Sequence, residues 1–229
     1  MDRFIEQYGA EPYAIDDADL RLCPVRGVAY QRHMAADRVE YGADYLEKCR
    51  LYEGTPIACA VNAARIALVS RYTTGLMLDI GAGTGDFAKQ RPDTFAYDVN
   101  LPAEMELRAE LLFTDAFASF NAFSLWDVLE HVEDVDNYFK HMRHGAYLFV
   151  SIPVFASLWS IRRSKHHRPG EHLYYWTERG FINWAACHGF RLLEVSWAEC
   201  AAGREDIAQF AFCRVLSPLA NEQTIEEVS

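Results

Sequence analysis

The stretch Gly75-Leu-Met-Leu-Asp-Ile-Gly-Ala-Gly-Thr-Gly-Asp86 constrains this chain more than any other. Leu76 to Ile80 is a short apolar run, the pattern of a strand buried on both faces of a parallel sheet. Gly81, Gly83 and Gly85 follow at every second position, and a helix opens behind them and ends by Pro92. A strand that passes through a glycine turn into a helix leaves a hollow at the carboxyl edge of its sheet. The missing side chains let a ligand approach the backbone, and the first helical turn offers unpaired N–H groups.

Spacing narrows the ligand. A dinucleotide fingerprint, G-x-G-x-x-G/A, started at Gly81 requires Gly or Ala at position 86, where this chain has Asp86. The pattern present is acid-x-G-x-G-x-G, led by Asp79; its bland reading is an ordinary glycine-rich turn. Thr94-Phe-Ala-Tyr-Asp98 reads as a second strand with an acid at its carboxyl end. In doubly wound folds a carboxylate about 20 residues past the glycine loop takes the ribose hydroxyls. Two such hydrogen bonds contribute about 1.5–3 kcal/mol, or about ten- to a hundredfold in affinity.

The run from Asp79 to Gly85 resembles motif I of the class I S-adenosylmethionine-dependent methyltransferases, whose glycine loop wraps the methionine part of the cofactor. A second likeness follows strand four: Asp127-Val-Leu-Glu-His-Val132 resembles the signature of the small-molecule and quinone-type members. The likeness extends from about residue 72 to 215. It implies a cofactor site made of Asp79, Gly81, Ala82, Gly83, Gly85, Asp98, Val99, Asp115, Ala116, Phe117, Trp126 and Asp127. Within it Asp115 is expected to bond the adenine amino group and Phe117 to lie against the ring. The bland reading of Asp115 is a helix or turn cap.

Around these landmarks the chain reads in order. Residues 1–54 are polar and aromatic, and Tyr30, Tyr41, Tyr45 and Tyr52 suggest a partly helical cap or lid. Thr55-Pro56 starts a helix with Thr at N-cap and Pro at N1. Ile57, Ala60, Val61, Ala64, Leu68 and Val69 form its expected inward face. Leu111 to Thr114 reads as strand three, Ala122 to Trp126 as strand four and Ala146 to Ile152 as strand five. Thr177 caps a helix with Phe181, Trp184 and Ala185 inward; Phe190–Trp197 and Ile207–Cys213 are the last strands. Three readings stand for Asp127, Glu130 and His131: a capping box, a contact edge for cofactor and acceptor, or a divalent-metal site as proposed for some quinone O-methyltransferases.

The segment Ser157–Trp176 is too long for a routine connection, and such loops tend to be functional. Arg162, Arg163, Lys165 and Arg168 make it basic, and His166, His167, His172, Tyr174, Tyr175 and Trp176 add proton-transfer groups and flat faces. It is expected to be an acceptor lid; its bland alternative is a solvated loop. His172, His131 and His166 are the candidate general bases. The loop histidines lack a regular zinc spacing, and no metal is assigned.

About half of the 229 residues are apolar, enough for one sizeable core. A formal charge of −11 argues against a general nucleic-acid coat. The first residues carry no basic and apolar leader, and no apolar run approaches ~18 residues, so neither secretion nor a membrane partner is expected. Six scattered cysteines form no CxxC; Cys23-Pro-Val-Arg-Gly27 resembles a zinc knuckle in which Arg26 replaces the second Cys. The thiols read as reduced, in a cytoplasmic setting.

The resulting expectation is an α/β, Rossmann-like, doubly wound, mostly parallel seven-stranded sheet with an N-terminal helical cap, its final strand antiparallel by resemblance. The expected divisions are 1–54 (cap or lid), 55–216 (methyltransferase domain) and 217–229 (acidic tail). The implied function is transfer of the S-adenosylmethionine methyl to an O or N nucleophile. No Asn/Asp-Pro-Pro-Tyr follows strand four and no Pro-Cys nucleophile occurs, so a small molecule or a modified sugar or nucleotide is the expected acceptor. The basic loop keeps a phosphate-bearing one open. The alternatives are a non-catalytic binding module of the same fold and, less favoured, a nicotinamide oxidoreductase.

Overall fold

The computed structural model describes residues 15–17, 19–31, 43–98 and 119–215. The architecture follows from runs of apolar residues that must leave water together. Strand β4 (Met77–Ile80) is buried along its whole length, as is β6 (Ala122–Trp126). They pair in parallel with each other, and β5 (Thr94–Tyr97) and β7 (Tyr147–Pro153) extend the sheet on either side. Strand β10 (Ile207–Arg214) lies antiparallel beside β7, and β9 (Phe190–Ser196) closes the far edge antiparallel to β10. The order is β5-β4-β6-β7-β10-β9. Among the described strands of this sheet, only β10 therefore runs against its companions, as expected. The expected third strand, Leu111–Thr114, lies outside the described residues, as do Val99, Asp115, Ala116, Phe117 and the tail from 217.

The parallel strands share one carboxyl edge, and the sequence turns there each time a strand ends. Helix α3 (Asp86–Gln90) follows β4, and a one-turn 3-10 helix (Leu129–His131) and α4 (Asp136–Phe139) follow β6. Helix α5 (Glu178–Cys187) starts where Thr177 accepts a hydrogen bond from Gly180 N at 3.0 Å, and buries Phe181, Trp184 and Ala185. These join Phe139, Phe190, Phe210 and Phe212 in an aromatic cluster on one face of the sheet.

The N-terminal region departs from the expected helical cap. Helix α1 (Ala43–Tyr52) supplies its helical part, but β1 (Ile15–Asp17), β2 (Leu20–Cys23) and β3 (Val28–Gln31) form an antiparallel meander. Strand β8 (Tyr174–Trp176) completes this second sheet beside β3. Leu20 and Leu22 are buried and Arg21 between them is not, the period-two signature of a strand. The pairing also corrects the reading of the long loop's aromatic end: Tyr174, Tyr175 and Trp176 are core residues with at most 1% exposure and do not face an acceptor.

Helix α2 (Pro56–Ser70) begins as expected, with Ala58 N donating to Thr55 Oγ1 at 3.2 Å. Its inward face is rotated by about one residue. Ala58, Val61, Asn62, Leu68 and Val69 are buried, while Ile57 and Ala60 face outward. The inner stripe at i, i+3, i+4 and i+7 takes in Asn62 and Arg65, so matching apolar residues alone selected the wrong phase. Between α5 and the close of the chain, α6 (Ala198–Ala201) packs against β10 and α2 and carries Glu199.

Candidate functional site

The glycine loop after β4 has the local geometry that its sequence demands. Gly81, Gly83 and Gly85 have φ of 72°, 57° and 75°, in the left-handed region. A Cβ at Gly81 would come within 2.4 Å of Val128 Cγ2, whereas one at Gly83 would meet nothing within 4 Å. The first glycine thus lets the loop press on the turn after β6, and the second leaves its outer wall open. Gly81 N and Ala82 N both donate to the Tyr97 carbonyl, at 2.8 and 3.0 Å, and Gly83 N donates to Asp98 Oδ2 at 2.8 Å. The acid at the end of β5 therefore shapes the loop directly.

This loop forms one wall of a cavity of about 450 Å³. Asp79, Gly81, Ala82 and Gly83 line it from the sheet, Trp126 and Asp127 from the end of β6, and Tyr45, Lys48, Cys49 and Tyr52 from α1. Asn62 and Arg65 contribute from α2, and Arg204 from the turn before β10. A second hollow, about 340 Å³, lies between the Pro24–Gly27 turn and α5; the glycine loop does not reach it. The larger cavity is the candidate site because the strand-edge carboxylates and open backbone converge there.

Its electrostatics are set by two buried arrangements. Asp79, 2% exposed, accepts from Ser124 Oγ at 2.5 Å across the β4–β6 pairing. Burial pushes its carboxyl up to about 7, outweighing the opposing pull of the Ser124 hydrogen bond and the Arg65 charge. Asp127, with φ of 58°, is gripped by two guanidiniums. Arg65 Nη2 donates to Oδ2 at 2.9 Å; Arg204 donates to Oδ2 and Oδ1 at 2.7 and 3.0 Å. Glu199, fully buried, completes the group by accepting from Arg65 Nε at 2.8 Å and from Arg204 Nη1 at 2.5 Å. Burial alone would raise the Asp127 carboxyl, but Arg204 and Arg65 hold it at about 2. Arg65 also lies over the Trp126 ring, 5.0 Å from its centroid.

Of the three readings of Asp127, Glu130 and His131, the capping box does not form. The 3-10 helix starts at Val128 with no side-chain cap, because Asp127 bonds the arginines instead. Charge-assisted bonds to two guanidiniums are stronger than one bond to a neutral backbone N–H.

The family-model comparison matches residues 58–195 to a methyltransferase domain. This chain belongs to that family. It is a class I methyltransferase, an enzyme whose methyl donor is S-adenosylmethionine. The fold is similar to that of 1,6-didemethyltoxoflavin-N1-methyltransferase from Burkholderia thailandensis, crystallised with 1,6-didemethyltoxoflavin and S-adenosylhomocysteine. Sequence identity there is 16%, the TM-score is 0.51, and the match covers 88% of this chain and 98% of that one. Magnesium protoporphyrin IX methyltransferase from Synechocystis PCC 6803 matches with a TM-score of 0.49 at 14% identity, covering 77% and 97% of the two chains. No curated protein matches the sequence.

The methyltransferase's cavity fits the donor. Gly83 opens onto it without a Cβ, Asp79 sets a buried carboxyl in its wall, and Trp126 Nε1 is buried with no partner among the described residues. Of the expected cofactor residues, Asp79, Gly81, Ala82, Gly83, Trp126 and Asp127 line the cavity. Gly85 is the N-cap of α3 and Asp98 stands behind Gly83. The three candidate bases are elsewhere. His166 Nε2 bonds the Glu205 carbonyl at 2.9 Å. His131 and His172 stack edge-on 4.7 Å apart beside Glu130, away from the cavity lining. Burial, with His131 and Arg168 beside it, drives the His172 pKa down to about 3. Such an imidazole is a poor proton acceptor near neutral pH. The basic residues of the long loop do not line the cavity either, and two are paired: Lys165 with Glu205 at 2.9 Å and Arg168 with Glu171 at 3.0 Å.

Arg65, Glu199 and Arg204 were missed by the sequence reading. Arg65 carried one usable signal, its place seven residues after Ala58 on the inner stripe of α2. Glu199 and Arg204 carried none, since each comes from a short polar stretch that reads as surface.

Proposed function

We propose that this methyltransferase alkylates an O or N nucleophile of a small organic acceptor, a modified sugar or nucleotide included, bound beneath α1. The observation that supports this reading is a single cavity shared by the glycine loop and by Tyr45, Lys48 and Tyr52. Donor and acceptor then meet in one enclosure of ordinary ligand size. The sulfonium donor supplies an already activated methyl group, so the chain's work is positioning. Backbone groups of Gly81–Gly83 and the Asp98 carboxylate orient the donor, with Asp98 as the ribose acceptor. Asp115, Ala116, Phe117 and Val99 are proposed to enclose the adenine. Asp127, fixed by two arginines, holds the floor rigid, and the aromatic wall of α1 excludes water and sets the nucleophile about 3–3.5 Å from the methyl carbon.

None of His131, His166 and His172 is given the proton-transfer role, because none lines this cavity. An acceptor already nucleophilic at neutral pH, such as an amine with a low pKa or an acidic hydroxyl, suits such a site. The N1-methylating Burkholderia enzyme, named for a nitrogen acceptor, agrees with that class. A phosphate-bearing acceptor held by Arg162, Arg163, Lys165 and Arg168 has weaker support, given the Lys165 and Arg168 ion pairs. Free thiols at all six cysteines accord with a cytoplasmic setting, and no described helix is long and apolar enough to cross a membrane.

The test is S-adenosylhomocysteine release over a panel of amine, heteroaromatic nitrogen and phenol acceptors. Turnover that falls at least tenfold on Tyr52→Ala, with donor binding intact, supports the shared cavity; turnover indifferent to that change refutes it. For phosphorylated acceptors, a salt-dependent KM that flattens in Arg162→Ala plus Lys165→Ala would support the basic loop.

A further inference from the structure

Glu130, His131 and His172 form a second cluster of chemistry-bearing groups, outside the methyl-donor cavity. Each offers one ligand atom, and the three atoms lie within 4.8 Å of one another. Two come from the turn after β6 and the third from the segment entering β8, and Leu173 N ties these pieces by donating to the Glu130 carbonyl at 2.7 Å.

The cluster has the marks of a built site. Glu130 is 1% exposed and His172 4%, and Glu130 Oε2 and His172 Nδ1 have no hydrogen-bond partner among the described residues. Orphaned buried polar atoms are expensive, and one sits on each of two residues whose ligand atoms lie within 4.8 Å of each other. His131 is already oriented: its Nδ1 lies 3.0 Å from the Glu171 carbonyl. A carbonyl only accepts, so Nδ1 carries the proton and Nε2 keeps its lone pair. Metal-ligating imidazoles are commonly held by a backbone carbonyl in this way. Asp127, which the sequence placed beside Glu130 and His131 as a possible ligand, is committed to Arg65 and Arg204.

We propose that Glu130, His131 and His172 bind a zinc-class divalent cation that clamps the turn after β6 to the segment entering β8. Two imidazoles and one carboxylate are the donor set of three-ligand zinc sites and a poor one for magnesium or calcium. A tetrahedral ion about 2.1 Å from each ligand holds them ~3.4 Å apart, so moving each side chain by roughly an ångström seats it. Burial holds the Glu130 carboxyl well above its ordinary range and the His172 imidazole below its own. A cation there would favour the carboxylate and the neutral imidazole together.

The experiment uses the full chain, stripped with chelator and titrated with Zn2+ and with Co2+ in the absence of methyl donor and acceptor. One equivalent is expected to bind at micromolar or tighter affinity and raise the melting temperature, with Co2+ giving the visible absorption of a tetrahedral site. Glu130→Gln and His172→Ala should each weaken binding more than tenfold, while His166→Ala should not. If His172→Ala fails to fold, the near-isosteric Glu130→Gln decides. No stoichiometric binding by the folded wild type, or binding unchanged in Glu130→Gln, overturns the proposal. Neither result bears on methyl transfer, which is assayed separately.

Discussion

Gly81 and Gly83 occupy the same loop and the same half of φ space, yet their substitution should separate structure from ligand binding. Gly81→Ala adds a Cβ into Val128, and the left-handed penalty comes on top; a loss of about 2–4 kcal/mol is expected. Gly83→Ala pays only the backbone penalty, about 1 kcal/mol, but puts a methyl on the open wall. Thermal melts should show Gly81→Ala far below wild type and Gly83→Ala close to it, while calorimetry shows S-adenosylmethionine binding weakened at least tenfold in both. Asp79 gives a pH test. Its folded pKa of about 7 stands above the unfolded value near 3.8. The native state therefore holds a proton through that window that the unfolded chain has released, and stability from this group falls as pH rises from about 4 to 7. Asp79→Asn should remove the penalty, so its melting temperature gains on wild type with rising pH. Cofactor affinity, which should rise through pH 7 in wild type as the carboxylate forms against a cationic ligand, should become flat. Parallel pH curves for the two proteins would contradict this assignment.

At the level of elements, α2, α6 and the turn before β10 meet on Asp127 and Glu199. Glu199 is fully buried beside two guanidiniums, so losing its charge leaves Asp127 alone against both. Glu199→Gln is expected to destabilise by about 3 kcal/mol and to weaken donor binding through movement of the cavity floor. Denaturant melts check the first part, and an unchanged midpoint would contradict it. The same meeting explains a misjudged helix face. Apolar spacing identified α2 as a helix and its N-cap correctly, because Thr55 and Pro56 act on their immediate neighbours. It mistook the phase because Asn62 and Arg65 point inward toward polar partners, Asp86 at 2.7 Å in the case of Asn62.

For the whole molecule, the meander of β1–β3 and the parallel sheet are joined by β8. Leu20, Leu22 and Ala29 pack with Phe155, Leu158, Ile161 and Tyr175 in one buried cluster. A chain trimmed to residues 55–216, the domain expected from the helix start at Thr55 and the extent of the family resemblance, would expose the second half of that cluster. It should bind hydrophobic dye and melt without a cooperative transition, whereas the full chain melts sharply; a cooperative melt of the fragment would show the N-terminal sheet to be an independent appendage.

What the sequence determined by itself is local. Glycines at alternate positions behind an apolar strand fix a left-handed loop because only they escape the Cβ penalty, and a threonine before a helix caps it because its oxygen reaches the third residue on. Continuous apolar runs decide which strands are interior, and with them the Rossmann-like sheet. What the tertiary structure decided is which polar groups meet. Asp127 is 62 residues from Arg65 and 77 from Arg204, and His172 is 42 from Glu130 by position along the chain. No periodicity records such pairings. They exist because the turn after β6 packs against α2, the turn before β10 and the segment entering β8, and polar groups buried there are costly unless they find partners.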